Sequence, residues 1–312
     1  MENLSSPTVS VVLPVYNGQD YIKSAIVSLL RQDEVNEIIV SDDGSTDSTV
    51  EIVRSISAPS LRLLINPSRA GQFGNFNRAI REARGNYIQF FSHDDVALKG
   101  FIGSQVKAFD IHSRVGLVYS SSYIIDPSGF RTSVLDDEGT PIGIDFSTYL
   151  YISSRHGALP PSISSVMISR DVLDEVGPFD DSFAVAGDLE FYNRVAEKFY
   201  FARNRQLQLE VRCHPQSVTS GKLSALRYAE EEARILPFYK RHLGIQSYRE
   251  MMVRRTRTRG ADHAKGILRA MAGGNFDQGI AHYRALSKVH SVPACMYYAV
   301  LQKLFGRDWL LR

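Results

Sequence analysis

Through the first 125 residues, short β-branched or aromatic runs alternate with stretches of helical period, and that alternation leaves few folds open. Residues 9–13 (VSVVL) read as a buried strand, ended by Pro14, with a turn at Tyr16, Asn17 and Gly18. Asp20 stands where it could cap a helix running to about Gln32, with Ile22, Ile26, Leu29 and Leu30 on its apolar face. Residues 37–40 and 61–65 are the next two strands. The helix between them starts on Ser48 and Glu51, which have capping-box spacing. A helix over 71–83, closed by Gly85, leads into the aromatic run 87–91. Residues 99–113 read as a helix and 116–121 as a strand. This order predicts an α/β fold, a mostly parallel sheet flanked by helices with right-handed crossovers.

Two of the predicted strands end alike. Residues 37–40 run into Asp42 and Asp43, and residues 87–91 run through Ser92 and His93 into Asp94 and Asp95. Ligands of open parallel sheets sit just outside the carboxyl ends of the strands. Adjacent carboxylates repel, so a positive partner is expected, most simply a divalent metal; oxygen donors suit Mg2+ or Mn2+. The same residue types also serve turns and helix caps, and Asp47 reads as such a cap. Tyr16, at the same sheet edge, offers a ring on which a base can stack.

Beyond residue 125 the pattern loosens. Residues 126–144 are rich in Gly, Pro and Asp and read as an irregular loop; 145–152 and 171–176 read as short helices. A helix with Leu189, Tyr192, Val195 and Ala196 facing inward lies within 182–200, and 206–211 is a late strand. From about residue 223 the pattern is all helical, over 225–242, 261–271, 277–290 and 293–305. Charge divides at the same place. Residues 222–312 carry 17 Lys and Arg against 7 Asp and Glu, a net +10, while the whole 312-residue chain is only +2. We therefore expect a first domain over 1–221 and a basic helical extension over 222–312.

Several classes are excluded. There is no GxGxxG turn after a strand and no Walker GKS or GKT, and Asp42-Asp43-Gly44 lacks the alternate acids of a calcium loop. A phosphatase of the DxDG type would need an Asp at Ser41. The basic tail has no recognisable nucleic-acid module. Two cysteines, Cys213 and Cys295, suit a reducing compartment. The N-terminus lacks a basic stretch followed by an apolar one, so no signal peptide is expected, and no apolar run reaches the length of a membrane span. A cytoplasmic protein is the expectation, with peripheral contact at the inner face of a membrane open to it. There Arg254, Arg255, Arg257 and Arg259 would meet anionic headgroups.

The segments VSVVLPVYNG, EIIVSDDGSTD, NRAIREARG and FFSHDD, followed by ISRDVLDEVGPFDDSF, AGDLEFYNRVA and VRCHPQSV, occur in one order over roughly the first 220 residues. Together they resemble the successive motifs of the inverting family 2 glycosyltransferases. The resemblance implies a GT-A fold, a nucleotide-diphosphate sugar as donor, a glycan or lipid-linked acceptor and a divalent cofactor. It implies that Pro14, Tyr16 and Asp43 hold the nucleotide base and that Gly71 and Asn77 line its diphosphate-ribose side. Asp94 would contact ribose, Asp95 would bind the metal, and Asp188 would be the catalytic base. His214 matches a His that approaches the metal in some relatives. The family often has Glu just before the base, where this chain has Gly187, and often Trp where it has Tyr192. A non-catalytic nucleotide-sugar-binding or adaptor protein on the same fold is the competing expectation.

Overall fold

The computed structural model describes residues 7–136, 139–214 and 222–305. The chain divides into two compact units, one made of residues 1–149 and 158–214, the other of 150–157 and 215–312.

In the first unit, strand β1 (Val9–Val15) lies between β2 (Val35–Asp42) and β4 (Tyr87–Phe90), parallel to both. Strand β3 (Leu61–Ile65) extends the sheet beyond β2. Helices α1 (Ile22–Leu30), α2 (Thr49–Arg54) and α3 (Gly71–Glu82) make the crossovers. Pro14 does not end β1 but pairs opposite Ser41. The β4 ladder covers only Val9 to Val12, so a proline at position 14 interrupts no bond on that side. Helix α1 starts after Tyr21 with no side-chain cap, so Asp20 does not cap it. The capping box is not formed either. Asp47, two residues before Thr49, accepts both its backbone N–H and its hydroxyl.

The sheet continues through β10 (Val166–Ser169), antiparallel to β4 and to β6 (Val115–Ser120), then β11 (Tyr200–Asn204) and β9 (Gly143–Ile144). The full order is β3-β2-β1-β4-β10-β6-β11-β9. A second, four-stranded sheet runs β5 (Val96–Ala97), β12 (Leu209–Arg212), β7 (Ser122–Ile125) and β8 (Arg131–Leu135). Hence 126–144 is not a plain loop: β7 and β8 form a hairpin within this sheet. Residues 131–135 are almost wholly exposed, so no apolar alternation marks them as a strand.

Two apolar layers cover the main sheet. Val11, Leu13, Ile26, Leu29, Ile38, Phe91 and Phe101 pack in one, beneath α1 and α4 (Phe101–Ala108). An aromatic cluster forms the other. The Phe179 ring sits 4.5 to 5.6 Å from Phe73, Phe76, Phe90 and Phe191, linking α3, β4 and α7 (Gly187–Ala196). Each such ring pair contributes about 0.5–1.5 kcal/mol beyond its buried area. The cluster therefore fixes where α7 begins. Helix α6 (Arg170–Val176) precedes α7, and helix α5 (Phe146–His156) belongs to the second unit from residue 150 on.

The second unit is built from α8 (Lys222–His242), α9 (Ile245–Arg255), a π-helical stretch Thr256–Gly260, α10 (Ala261–Ala272), α11 (Phe276–Ser287) and α12 (Val292–Phe305). Ala261, Ala264, Ile267, Leu286, Val292, Cys295 and Ala299 form its apolar centre. Beside it lies a buried ion pair, Arg255 Nη1 to Glu232 Oε1 at 2.6 Å, with His290 Nε2 3.4 Å from Glu232 Oε2. Arg255 therefore cannot meet a lipid headgroup as expected: it turns inward to the Glu232 of α8 and is 5% exposed. Among the described residues no helix is long and apolar enough to cross a membrane.

Candidate active site

The carboxyl ends of β2, β1 and β4 lie side by side, and the sequence puts chemistry at each. At the β2 end the two carboxylates do different things. Asp42 Oδ2 accepts the N–H groups of Gly44 and Ser45, shaping the turn. Asp43, 2% exposed, accepts from Asn66 Nδ2 at 2.9 Å, from the Ala70 N–H at 2.7 Å and from the Gly71 N–H at 3.0 Å. An acidic group at the first N–H groups of a helix is the favoured arrangement. Gly71 has φ +75°, so only glycine opens α3 there without strain.

At the β1 end, Tyr16 follows Val15, whose carbonyl accepts the Asp43 N–H at 2.8 Å. The Arg69 guanidinium lies 3.6 Å from the centre of the Tyr16 ring and covers one face of it. Pro14 is half-buried in the strand. The Asn77 side chain points elsewhere. Its amide makes a reciprocal pair with the Phe179 backbone, donating to the carbonyl at 2.8 Å and accepting the N–H at 3.0 Å. It thereby locks α3 to the segment before α7.

At the β4 end, Asp94, Asp95, Arg212 and His214 meet. His214 Nε2 is 2.9 Å from Asp94 Oδ2, and its ring centre is 5.3 Å from that of Tyr21. Asp95 Oδ1 accepts the Arg212 backbone N–H at 2.8 Å. Burial holds the Asp95 carboxyl well above the usual carboxylate range. The neighbouring Asp94 charge pushes the same way, against hydrogen bonds from Ser164 and the Arg212 N–H. His93 packs its ring over Gly18, where a Cβ would come within 2.5 Å; burial lowers its proton affinity, partly offset by Asp94.

Two adjacent buried carboxylates, Asp94 and Asp95, are the donor chemistry that a hard divalent cation satisfies. Mg2+ and Mn2+ use one or two protein carboxylates and complete their shells with phosphate and water. Among the described residues no three His, Cys, Asp or Glu side chains gather round one point. The residues present thus fit a cation held chiefly by carboxylates and a phosphate ligand, rather than an all-protein cage.

Asp188 occupies the first turn of α7 and accepts the Leu189 N–H at 2.7 Å. Gly187 just before it abuts the Phe73 ring, which would stand 2.7 Å from an added Cβ. Phe73 is two residues beyond Gly71, so a continuous path of contacts runs from Asp43 through the start of α3 to the start of α7. Arg69 and Arg212 escaped the sequence reading. Each acts through contacts with residues far along the chain, and no local spacing announces that.

The fold defined here, a mostly parallel sheet with acidic strand ends, is the GT-A glycosyltransferase fold. A mannosyltransferase from Pyrobaculum calidifontis, solved with GDP-Man and Mn2+, matches with TM-score 0.58 at 18% identity over 99% of this chain and 86% of its own. Staphylococcus aureus TarS 1–349 in complex with UDP-GlcNAc matches with TM-score 0.56 at 16% identity over 87% and 89%. By sequence, an uncharacterised glycosyltransferase of Rickettsia prowazekii is 27% identical over 74% of this chain and 71% of its own length. Glycosyltransferase AglE of Haloferax volcanii is 27% identical over 67% of each. The model of glycosyl transferase family 2 matches residues 10–177, and the chain belongs to that family.

Proposed function

We propose that the protein transfers a sugar from a nucleotide-diphosphate donor to an acceptor hydroxyl with inversion at the anomeric carbon. The observation that carries this reading is the meeting of Asp43, Tyr16, Asp94 and Asp95 at three neighbouring strand ends. In it, Pro14, Tyr16 and Asp43 hold the base, Gly71 lies along the diphosphate-ribose, and Asp94 meets the ribose. Asp95, with His214 nearby, holds Mg2+ or Mn2+, which when bound offsets the charge of the departing diphosphate. Asp188 takes the proton of the attacking hydroxyl. One base and one displacement suffice for inversion, and no nucleophilic carboxylate is required. Arg69 and Asn77 modify the picture. A base stacking on Tyr16 uses the ring face away from Arg69 or displaces the guanidinium, and Asn77 contributes by holding α3 in place.

The catalytic domain is taken as residues 1–221 and the basic extension as 222–312. The acceptor is a glycan or a lipid-linked intermediate of surface polysaccharide or glycolipid synthesis, made on the cytoplasmic side. Peripheral contact with anionic lipid then falls to the basic residues of the extension other than Arg255. Equal sedimentation with neutral and anionic vesicles ends that part of the reading. The test of the whole is Asp188→Asn, which should lower transfer by about 100-fold to 10,000-fold and leave donor binding intact. A non-catalytic nucleotide-sugar binder predicts no transfer from the parent protein with any donor.

A further inference from the structure

The Arg212 side chain reaches residues far away in the chain on two sides. Its Nε donates to the Asp94 carbonyl at 2.9 Å. Its Nη1 donates to the carbonyls of Asp126 at 3.0 Å and Pro127 at 3.1 Å. Its guanidinium carbon lies 4.6 Å from the centre of the Tyr21 ring, beside His214. Its own N–H holds the Asp95 carboxylate. One planar group thus joins three carbonyls on two separate loops. A guanidinium can do this, having donors fixed in a fork; a lysine ammonium on a flexible stem cannot reproduce that geometry.

The turn it grips is already shaped. Asp126 Oδ1 accepts the N–H groups of Ser128 and Phe130, both at 2.9 Å, and Gly129 has φ +90°. The strands below it are tied by the β12–β7 ladder and by Arg131 to Glu210 at 2.8 Å. The β5–β12–β7 ladder ends at Val96 on one side and Ile125 on the other, one residue short of the acidic pair and of the turn, and the Arg212 side chain links the two segments beyond those ends.

We propose that Arg212 is a positioning residue that clamps the main chain of the Asp94–Asp95 pair to the turn of the β7–β8 hairpin. The cation side of the site and the hairpin then move as one piece. The inference rests on the glycosyltransferase reading for its consequence, and on geometry alone for the clamp.

The test uses the full chain and two variants, Arg212→Lys and Asp126→Ala. The second loosens the turn from its own side and leaves the acidic pair untouched. Amide hydrogen exchange at Ser128 and Phe130, with no ligand present, should quicken at least tenfold in Arg212→Lys. Thermal shift with MnCl2 and UDP, or MnCl2 and GDP, should show apparent nucleotide affinity at least tenfold weaker in both variants. Their double variant should lose no more than the worse single one, because both break the same link. Unchanged exchange in Arg212→Lys overturns the clamp. Faster exchange with parent-like nucleotide affinity overturns its role in the site, leaving local packing only. Should the parent bind no nucleotide, the glycosyltransferase reading falls, while the exchange measurement still decides the clamp.

Discussion

Gly187 shows how one missing side chain is accounted for by its neighbour. Family members often carry Glu at this point, and here the Phe73 ring occupies the space. Phe73 is 1% exposed and held within the Phe179 cluster, so it has little room to retreat. Gly187→Ala would gain about 1 kcal/mol of helix propensity and lose roughly 1–3 kcal/mol to overpacking. We expect a net loss of about 1 kcal/mol, read as a lower urea midpoint and recovered by adding Phe73→Leu. Unaltered stability in Gly187→Ala would mean the ring moves freely. The two residues that most alter the expected site, Arg69 and Arg212, could not be found by spacing. Their partners, Tyr16, Asp94 and Asp126, lie 53, 118 and 86 positions away.

At the level of elements, Asp43 and the start of α3 form one unit. The carboxylate accepts three donors, two of them backbone N–H groups at a helix start. Asp43→Asn would turn an NH2 toward one of those donors, and an unsatisfied buried donor costs about 1–3 kcal/mol. A loss of about 2 kcal/mol is expected in urea melts without ligand, besides weaker nucleotide binding. Weaker binding at full stability would contradict the structural part. The parallel core β1 to β4 was legible because each strand is a short apolar run bounded by turn residues and followed by a helical period. Strands β8, β10 and β11 were not. β10 is four residues long and enters the middle of the sheet antiparallel, and β11 follows α7 so closely that it reads as the helix end. The site inherits this division. Its acidic strand ends were visible, while the hairpin that Arg212 grips lay inside a stretch read as loop.

For the whole molecule, the second unit brings a pH dependence of its own. Burial alone would raise the Glu232 carboxyl, but the His290 hydrogen bond and the Arg255 charge outweigh it and bring it from 4.5 to about 2. A carboxyl lowered on folding stabilises the fold above its unfolded value and loses that contribution as pH falls from about 4.5 toward 2. Protection of the amides of α8 to α12, with exchange corrected for its intrinsic pH dependence, should therefore fall across this window. Glu232→Gln should flatten that dependence and cost roughly 3–5 kcal/mol at pH 7, because Arg255 is left buried without its partner. Protection in the parent that is unchanged from pH 5 to pH 2.5 would refute this. The central claim concerns the first unit, and one measurement meets it directly: release of nucleoside diphosphate from a panel of nucleotide sugars with Mn2+ and candidate acceptors, for the parent and for Asp188→Asn. The account predicts release from at least one donor by the parent. It predicts a fall of 100-fold to 10,000-fold, on the order of a lost general base, in Asp188→Asn, with donor binding by thermal shift retained. Release by Asp188→Asn at the parent rate, or a parent that neither binds nor turns over any donor, would contradict it.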